Sequence, residues 1–277
     1  MQDSTGLTES AGGWLATTNF MGYMTGVLIA SRLHNLNHKY HLHQAYLILS
    51  VITCAAMVLT TDIFTWAVLR YIAGVCASGG MIIASGLILK WLVKNNHRAE
   101  LGIHFSGAGL SIVITSLLVE AMLTMSANWQ EQWLALAVMA AIVAIPAWMW
   151  MPHPSADGQS GGKAFTTLML LAYFCAGYGY VVSSTFIVDI VEGVEGLQGQ
   201  GWFAFLLVGL AAMPAALVWD RIARNVGYLK ALLAAYILQV VGIILPAIND
   251  SLPMVILSAL LFGGTFIACV SLVLTMA

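Results

Sequence analysis

Of 277 residues, 60% are hydrophobic and only 8% charged, with a net charge of -2, against about 25% charged residues in ordinary soluble domains. With a mean hydropathy of +0.90, there is too little polar surface to cover a water-soluble globule, which excludes a soluble domain, and the basic residues form no stripe that could track a phosphate backbone, so no nucleic-acid partner is indicated. The chain reads as an integral membrane protein whose main partner is the lipid bilayer.

A helix needs about 20 apolar residues to cross a bilayer core. Nine runs of that kind follow one another: 14–31, 44–60, 64–92, 101–124, 132–151, 166–187, 201–219, 228–247 and 253–276. None shows the strict alternation of a strand, and an open sheet would leave backbone groups unpaired in lipid. The expected fold is therefore all-α, a polytopic membrane protein with nine transmembrane helices.

Basic residues set the expected threading. Nine of the ten fall in alternate connections (Arg32 and Lys39; Lys90, Lys94 and Arg98; Lys163; Arg221, Arg224 and Lys230), and the tenth, Arg70, lies inside a span. The opposite connections hold Asp3, Glu9, Asp62, Glu131, Asp189, Glu192, Glu195 and Asp250 without a Lys or Arg. That sidedness places the amino terminus outside and the carboxyl terminus inside. Pro, Gly and Ser cluster in 152–164, which is expected to link an N-terminal half (1–151) to a C-terminal half (165–277) on the cytoplasmic face. The first residues show no basic stretch of a secretory signal, and a full span follows them. Cys54, Cys76, Cys175 and Cys269 each stand alone in apolar runs and read as small packing residues.

A repeat joins the two halves. ALVWDRIARN (216–225) echoes VLIASRLHNL (27–36), with Asp220-Arg221 standing 189 residues after Ser31-Arg32. The same shift sets Gly74 on Gly263, and a shift of 188 sets Gly13-Trp14 on Gly201-Trp202. Parallel repeats about the membrane normal are a known transporter plan.

The 216–225 phrase resembles the loop signature of the Major Facilitator Superfamily, usually Gly-x-Leu-Ala-Asp-Arg-x-Gly-Arg-Arg. Asp220, Arg221 and Arg224 match it; Ala216, Ala223 and Asn225 depart from it, and in the first copy only Arg32 matches well. LRYIAGVCASGG (69–80) resembles the family's fourth-helix motif, while AGGWLATTNFMGYMTG (11–26) and GIHFSGAGL (102–110) are similar to the YbfB/YjiJ-type branch. The resemblance numbers the nine spans as helices two to ten of a twelve-helix, two-bundle transporter fold, lacking helix 1 and helices 11 and 12. It implies a secondary active transporter of a small-molecule substrate, working by alternating access in a bacterial inner (plasma) membrane, without a cofactor. The family's antiporter signature carries a Gly-Pro pair where GAGLS (107–111) has no proline, so antiport gains no support.

Several residues are candidates for the substrate or proton pathway. Arg70 lies about seven residues into its span, roughly 10 Å deep at 1.5 Å per residue, where a charge needs water or a partner; its alternative is an outward reach to the headgroups. Glu120, at comparable depth in the next span, is its expected counterpart, because a buried acid beside a cation can exchange a proton. Its alternative is an interfacial acid reaching water. Tyr173 and Tyr180 recur at helical spacing on the sixth span, where the resemblance places a cavity helix; Asn19 and Gln239 are further amides within spans that could equally join two helices.

At the inner face, Arg32, Asp220, Arg221 and Arg224 form the expected gating loop. An acid there can pair with Arg224 or cap a neighbouring helix end, latching one of two rocking states; the plain alternative is that the arginines only obey the sidedness rule. His34, His38, His41 and His43 share an inside loop, but Lys39 in their midst and the lack of nearby Cys or carboxylate argue against a metal. No nucleophile–base or metal constellation points to an enzyme. The competing reading is a transport-incompetent fragment or membrane interaction protein.

Overall fold

A computed structural model describes residues 5–153, 191, 199, 201–249 and 251–276. Eight helices make up the described chain: α1 (Glu9–Arg32), α2 (Leu36–Ala56), α3 (Ile63–Lys94), α4 (Gly102–Thr124), α5 (Trp129–Met149), α6 (Gly201–Val226), α7 (Tyr228–Ile248) and α8 (Leu252–Met276), with a single 3-10 turn at Met57–Leu59. No strand occurs among the described residues. Seven helices, all except α1, are long and apolar enough to cross a membrane; Thr17, Thr18, Asn19 and the glycines of α1 keep its hydropathy lower. The expected span 166–187 and most of the 152–164 connection lie outside the described residues, as does Cys175.

Local chemistry fixes the helix ends. Asn35 accepts the N–H groups of Asn37 and His38 to start α2, and Asp62 accepts from Thr65 to start α3. At α5, Asn128 and Glu131 form a reciprocal capping box. Arg32 and Lys94 occupy the last turns of α1 and α3. Along α3, acid at the amino end and base at the carboxyl end therefore suit the helix dipole.

Two compact units form, with α1, α2, α3 and α5 in the first and α4, α6, α7 and α8 in the second. In the first, α1 and α2 pack on α3, and α5 packs on α2. The α1–α3 contact is made of backbone: a Cβ on Gly22 would strike the Tyr71 carbonyl, one on Gly26 the Val75 carbonyl and the Ser78 hydroxyl, and one on Gly74 the Asn19 carbonyl. Small residues let helices approach closely where lipid offers no hydrophobic drive between them. In the second unit, α6 packs against α4 and α8, and α7 against α8. Ala212, Ala216, Ala231, Ala235, Ala259 and Ala268 are sealed from solvent there, and a Cβ on Gly263 would meet the Val208 carbonyl.

The repeat reappears in this packing. Gly74 rests on the carbonyl of Asn19 and Gly263 on that of Val208, so both the glycine and its partner are related by the 189-residue shift. Meanwhile large apolar side chains such as Ile142, Val143 and Ile145 of α5 stay exposed, as expected of a surface that meets lipid.

Candidate functional site

The last turns of α6 bury Trp219, Asp220 and Ala223. Asp220 is 2% exposed, and its Oδ2 accepts the backbone N–H of Gly102 at 2.9 Å. Gly102 is the first residue of α4, so a carboxylate on one helix caps the amino end of another, placing negative charge where unpaired N–H groups favour it. Only glycine leaves room for this approach, because a Cβ at 102 would press on Asp220 Oδ2 and on Leu217.

One turn along α6, Arg224 Nη1 donates to Glu100 Oε2 at 2.7 Å in a partly exposed ion pair. Glu100 repels the Asp220 carboxylate and Arg224 attracts it, so the capping group sits between opposing fields. Its second oxygen, Oδ1, is buried without a hydrogen-bond partner among the described residues. A half-satisfied buried carboxylate marks a site held together by tertiary structure rather than by its own solvation.

Of the two partners expected for Asp220, then, the helix end is the one it bonds, and Arg224 turns to Glu100 instead. Arg221 is exposed on α6, and Arg32 is exposed at the end of α1. Beside Arg32, the Ser31 hydroxyl donates back to the Leu28 carbonyl at 2.9 Å, so the uncharged first copy closes locally. Glu100 escaped the sequence reading, and Gly102 entered it only within the 102–110 phrase, not as a partner of Asp220; the available signal was that Glu100 is an acid within the basic connection holding Lys94 and Arg98.

Arg70 lies over the indole of Trp133 on α5, 5.6 Å from the ring centroid, which gives the cation an aromatic partner inside its own unit. Asn19 Nδ2 donates to the Arg70 carbonyl at 2.8 Å, joining α1 to α3. Glu120 is half-buried on α4, so it and Arg70 belong to different units. Gln239 is 3% exposed on α7, and its Oε1 accepts the Cys269 thiol of α8 at 3.4 Å. Tyr173 and Tyr180 lie outside the described residues. His34, His38 and His41 are exposed while His43 is buried, and no group of three metal-ligating side chains gathers among the described residues.

Long apolar helices in glycine-tight pairs, with a buried carboxylate capping a helix end in one unit, define a polytopic membrane protein. The chain belongs to the Major Facilitator family described as "Uncharacterised MFS-type transporter YbfB", whose model matches residues 1–277. Among solved structures, the nucleoside transporter NupG (D323A mutant) is similar with a TM-score of 0.65 at 11% identity, over 97% of this chain and 74% of that one. The human organic anion transporter MFSD10 (TETRAN) is similar with a TM-score of 0.66 at 16% identity, over 99% and 74%. No curated protein sequence matches the chain. At these identities the two structures share a fold with this chain, and the family makes solute transport across a membrane its activity.

Proposed function

We propose that the chain is a secondary active transporter that moves a small solute by alternating access. The observation that carries this reading is the Asp220–Gly102 cap beside the Arg224–Glu100 pair. A rocking carrier needs contacts that hold one state and release at modest cost, and water can replace a carboxylate at a helix end. This reading takes the halves in chain order as 1–151 and 165–277, joined by 152–164, which counts α4 with the first half although it packs in the second unit, and numbers the nine expected spans two to ten of the twelve-helix plan. The basic residues support an amino terminus outside, a carboxyl terminus inside and the latch on the cytoplasmic face of a bacterial inner membrane.

In this reading Asn19, Tyr173, Tyr180 and Gln239 contribute to the substrate pathway, Arg70 and Glu120 to proton coupling, and Arg32 and Arg221 accompany the latch. The test is uptake into proteoliposomes of a panel of nucleosides, organic anions and other small solutes, with and without an inward proton gradient. Accumulation above the external concentration is expected, and Glu120→Gln should abolish its response to the gradient. A folded wild-type protein that accumulates nothing across the panel overturns the transport reading; gradient-driven uptake unaltered in Glu120→Gln removes that acid from the coupling.

A further inference from the structure

In the first unit, side chains from the amino ends of α3 and α5 meet in two successive layers. In the first layer Trp66 and Trp129 stand edge to face, with ring centroids 5.7 Å apart. Both are buried, and the Trp66 indole N–H donates to the Met57 carbonyl at 2.9 Å. Four residues further along each helix comes the second layer, Arg70 over Trp133 at 5.6 Å. Its backbone is held from two sides: Asn19 of α1 donates to the Arg70 carbonyl at 2.8 Å, and the Cys54 thiol of α2 donates to the Trp133 carbonyl at 3.9 Å.

Arg70 and Trp133 are only half-buried, although they lie one turn further from the helix ends than the sealed tryptophan pair. The layer is therefore closed toward the end of the unit and open at its side. The guanidinium in this opening makes no ion pair and no hydrogen bond among the described residues. The acids of the neighbouring helix starts are engaged in capping: Asp62 accepts the Thr65 N–H, and Glu131 accepts the Asn128 N–H. Glu120, the expected counterpart of Arg70, belongs to the other unit.

A charge roughly 10 Å along a membrane-spanning helix needs water or a counter-charge. The indole covers one face of the planar cation and leaves the N–H donors in its plane free to act. That fork of donors matches the paired oxygens of a carboxylate or a phosphate.

We propose that Arg70, supported by Trp133, binds an oxyanion, a carboxylate or phosphate group that reaches it through the open side of this layer. The site is separate from the Asp220 latch and does not depend on the transport reading. An anionic solute and an anionic lipid headgroup both carry this chemistry, and the two sources differ in whether a soluble anion occupies the site.

The test uses the full chain in a non-ionic detergent and phenylglyoxal, which modifies guanidinium groups, with each arginine followed by peptide mass spectrometry. Wild-type Arg70 should react. At least one of benzoate, inorganic phosphate and phosphatidylglycerol should slow that reaction about tenfold, the effect of one charge-assisted bond, while chloride at equal ionic strength should not; exposed Arg32 is the unprotected reference. Protection by benzoate or phosphate identifies a soluble anion, and protection by phosphatidylglycerol alone identifies a lipid headgroup. In Arg70→Gln the half-saturating concentration of the protecting anion, read from the melting temperature, should rise about tenfold, and Arg70→Lys should recover part of the loss. The proposal is overturned by an Arg70 that does not react without added anion, that no oxyanion protects, or that chloride protects equally. Undiminished binding in folded Arg70→Gln overturns it as well. Each readout is made without uptake, so the site and the transport reading stand or fall separately.

Discussion

Replacing Asp220 with Asn or Ala tests the latch most directly. The Asp220 carboxylate accepts one charge-assisted bond, at 2.9 Å from the Gly102 nitrogen. Such bonds contribute about 1.5–3 kcal/mol, and negative charge at a partly buried helix end up to about 2 kcal/mol, an overlapping effect. Asn keeps an acceptor and loses the charge, so a loss of about 1 kcal/mol is expected; Ala loses the whole cap, about 2 kcal/mol. At RT of about 0.59 kcal/mol these translate to opening equilibria raised about fivefold and about thirtyfold at the start of α4. Global melting is a poor readout, because removing a charge that is 2% exposed also relieves its desolvation. Hydrogen–deuterium exchange of the first-turn amides of α4, compared with amides near Ser116 in the middle of the same helix, isolates the cap. Faster exchange confined to that first turn is the expected result. If Asp220→Ala leaves it at the wild-type rate, the carboxylate does not hold the helix end and the latch loses its physical basis.

Gly74→Ala and Gly263→Ala each place a methyl group against a carbonyl of the neighbouring helix and should destabilise by about 1–3 kcal/mol, read as lower tryptophan-fluorescence melting temperatures; Gly86→Ala, with open space around it, should melt like wild type. Glu100→Gln breaks an ion pair whose side chains are 34% and 19% exposed, so its effect on stability should be about 0.2–1 kcal/mol and shrink in high salt. A double-mutant cycle on Arg70 and Trp133 should return a coupling of about 0.5–2 kcal/mol, and zero coupling would show that the stacked geometry contributes no energy. The Thr65 hydroxyl and then its N–H hold the Asp62 carboxyl below the usual carboxylate range. Its contribution is therefore fully present above the ordinary carboxylate pKa of about 4 and is lost as pH falls through the lower folded value. Acid melting curves of Asp62→Asn should lack that component.

Fold and site differ in how much of them could be read before the helices were packed. Most helix positions among the described residues followed from hydropathy and length, although α2 starts at Leu36, eight residues before the expected run, and the α3 and α5 starts lie where Asp62, Asn128 and Glu131 cap them within three residues. The 189-residue shift pairs Gly74 with Gly263, and each glycine meets a carbonyl of a neighbouring helix. Arg70 was recognisable as a charge in need of a partner, but its partner is Trp133 on α5, which no spacing along α3 could indicate. Asp220 was recognisable as a capping acid; which helix end it caps was not.

Sequence alone determined what depends on composition over a turn or a span: the lipid environment, the helical state, the segregation of acid and base to opposite ends, and the duplicated glycine. Tertiary structure decided the partners. Gly102 lies 118 residues before Asp220 and Glu100 lies 124 before Arg224, and no local rule links positions so far apart. A buried charge must find some partner, because the bilayer interior offers no water; which partner it finds depends on which helix the close-packed glycines and alanines bring alongside.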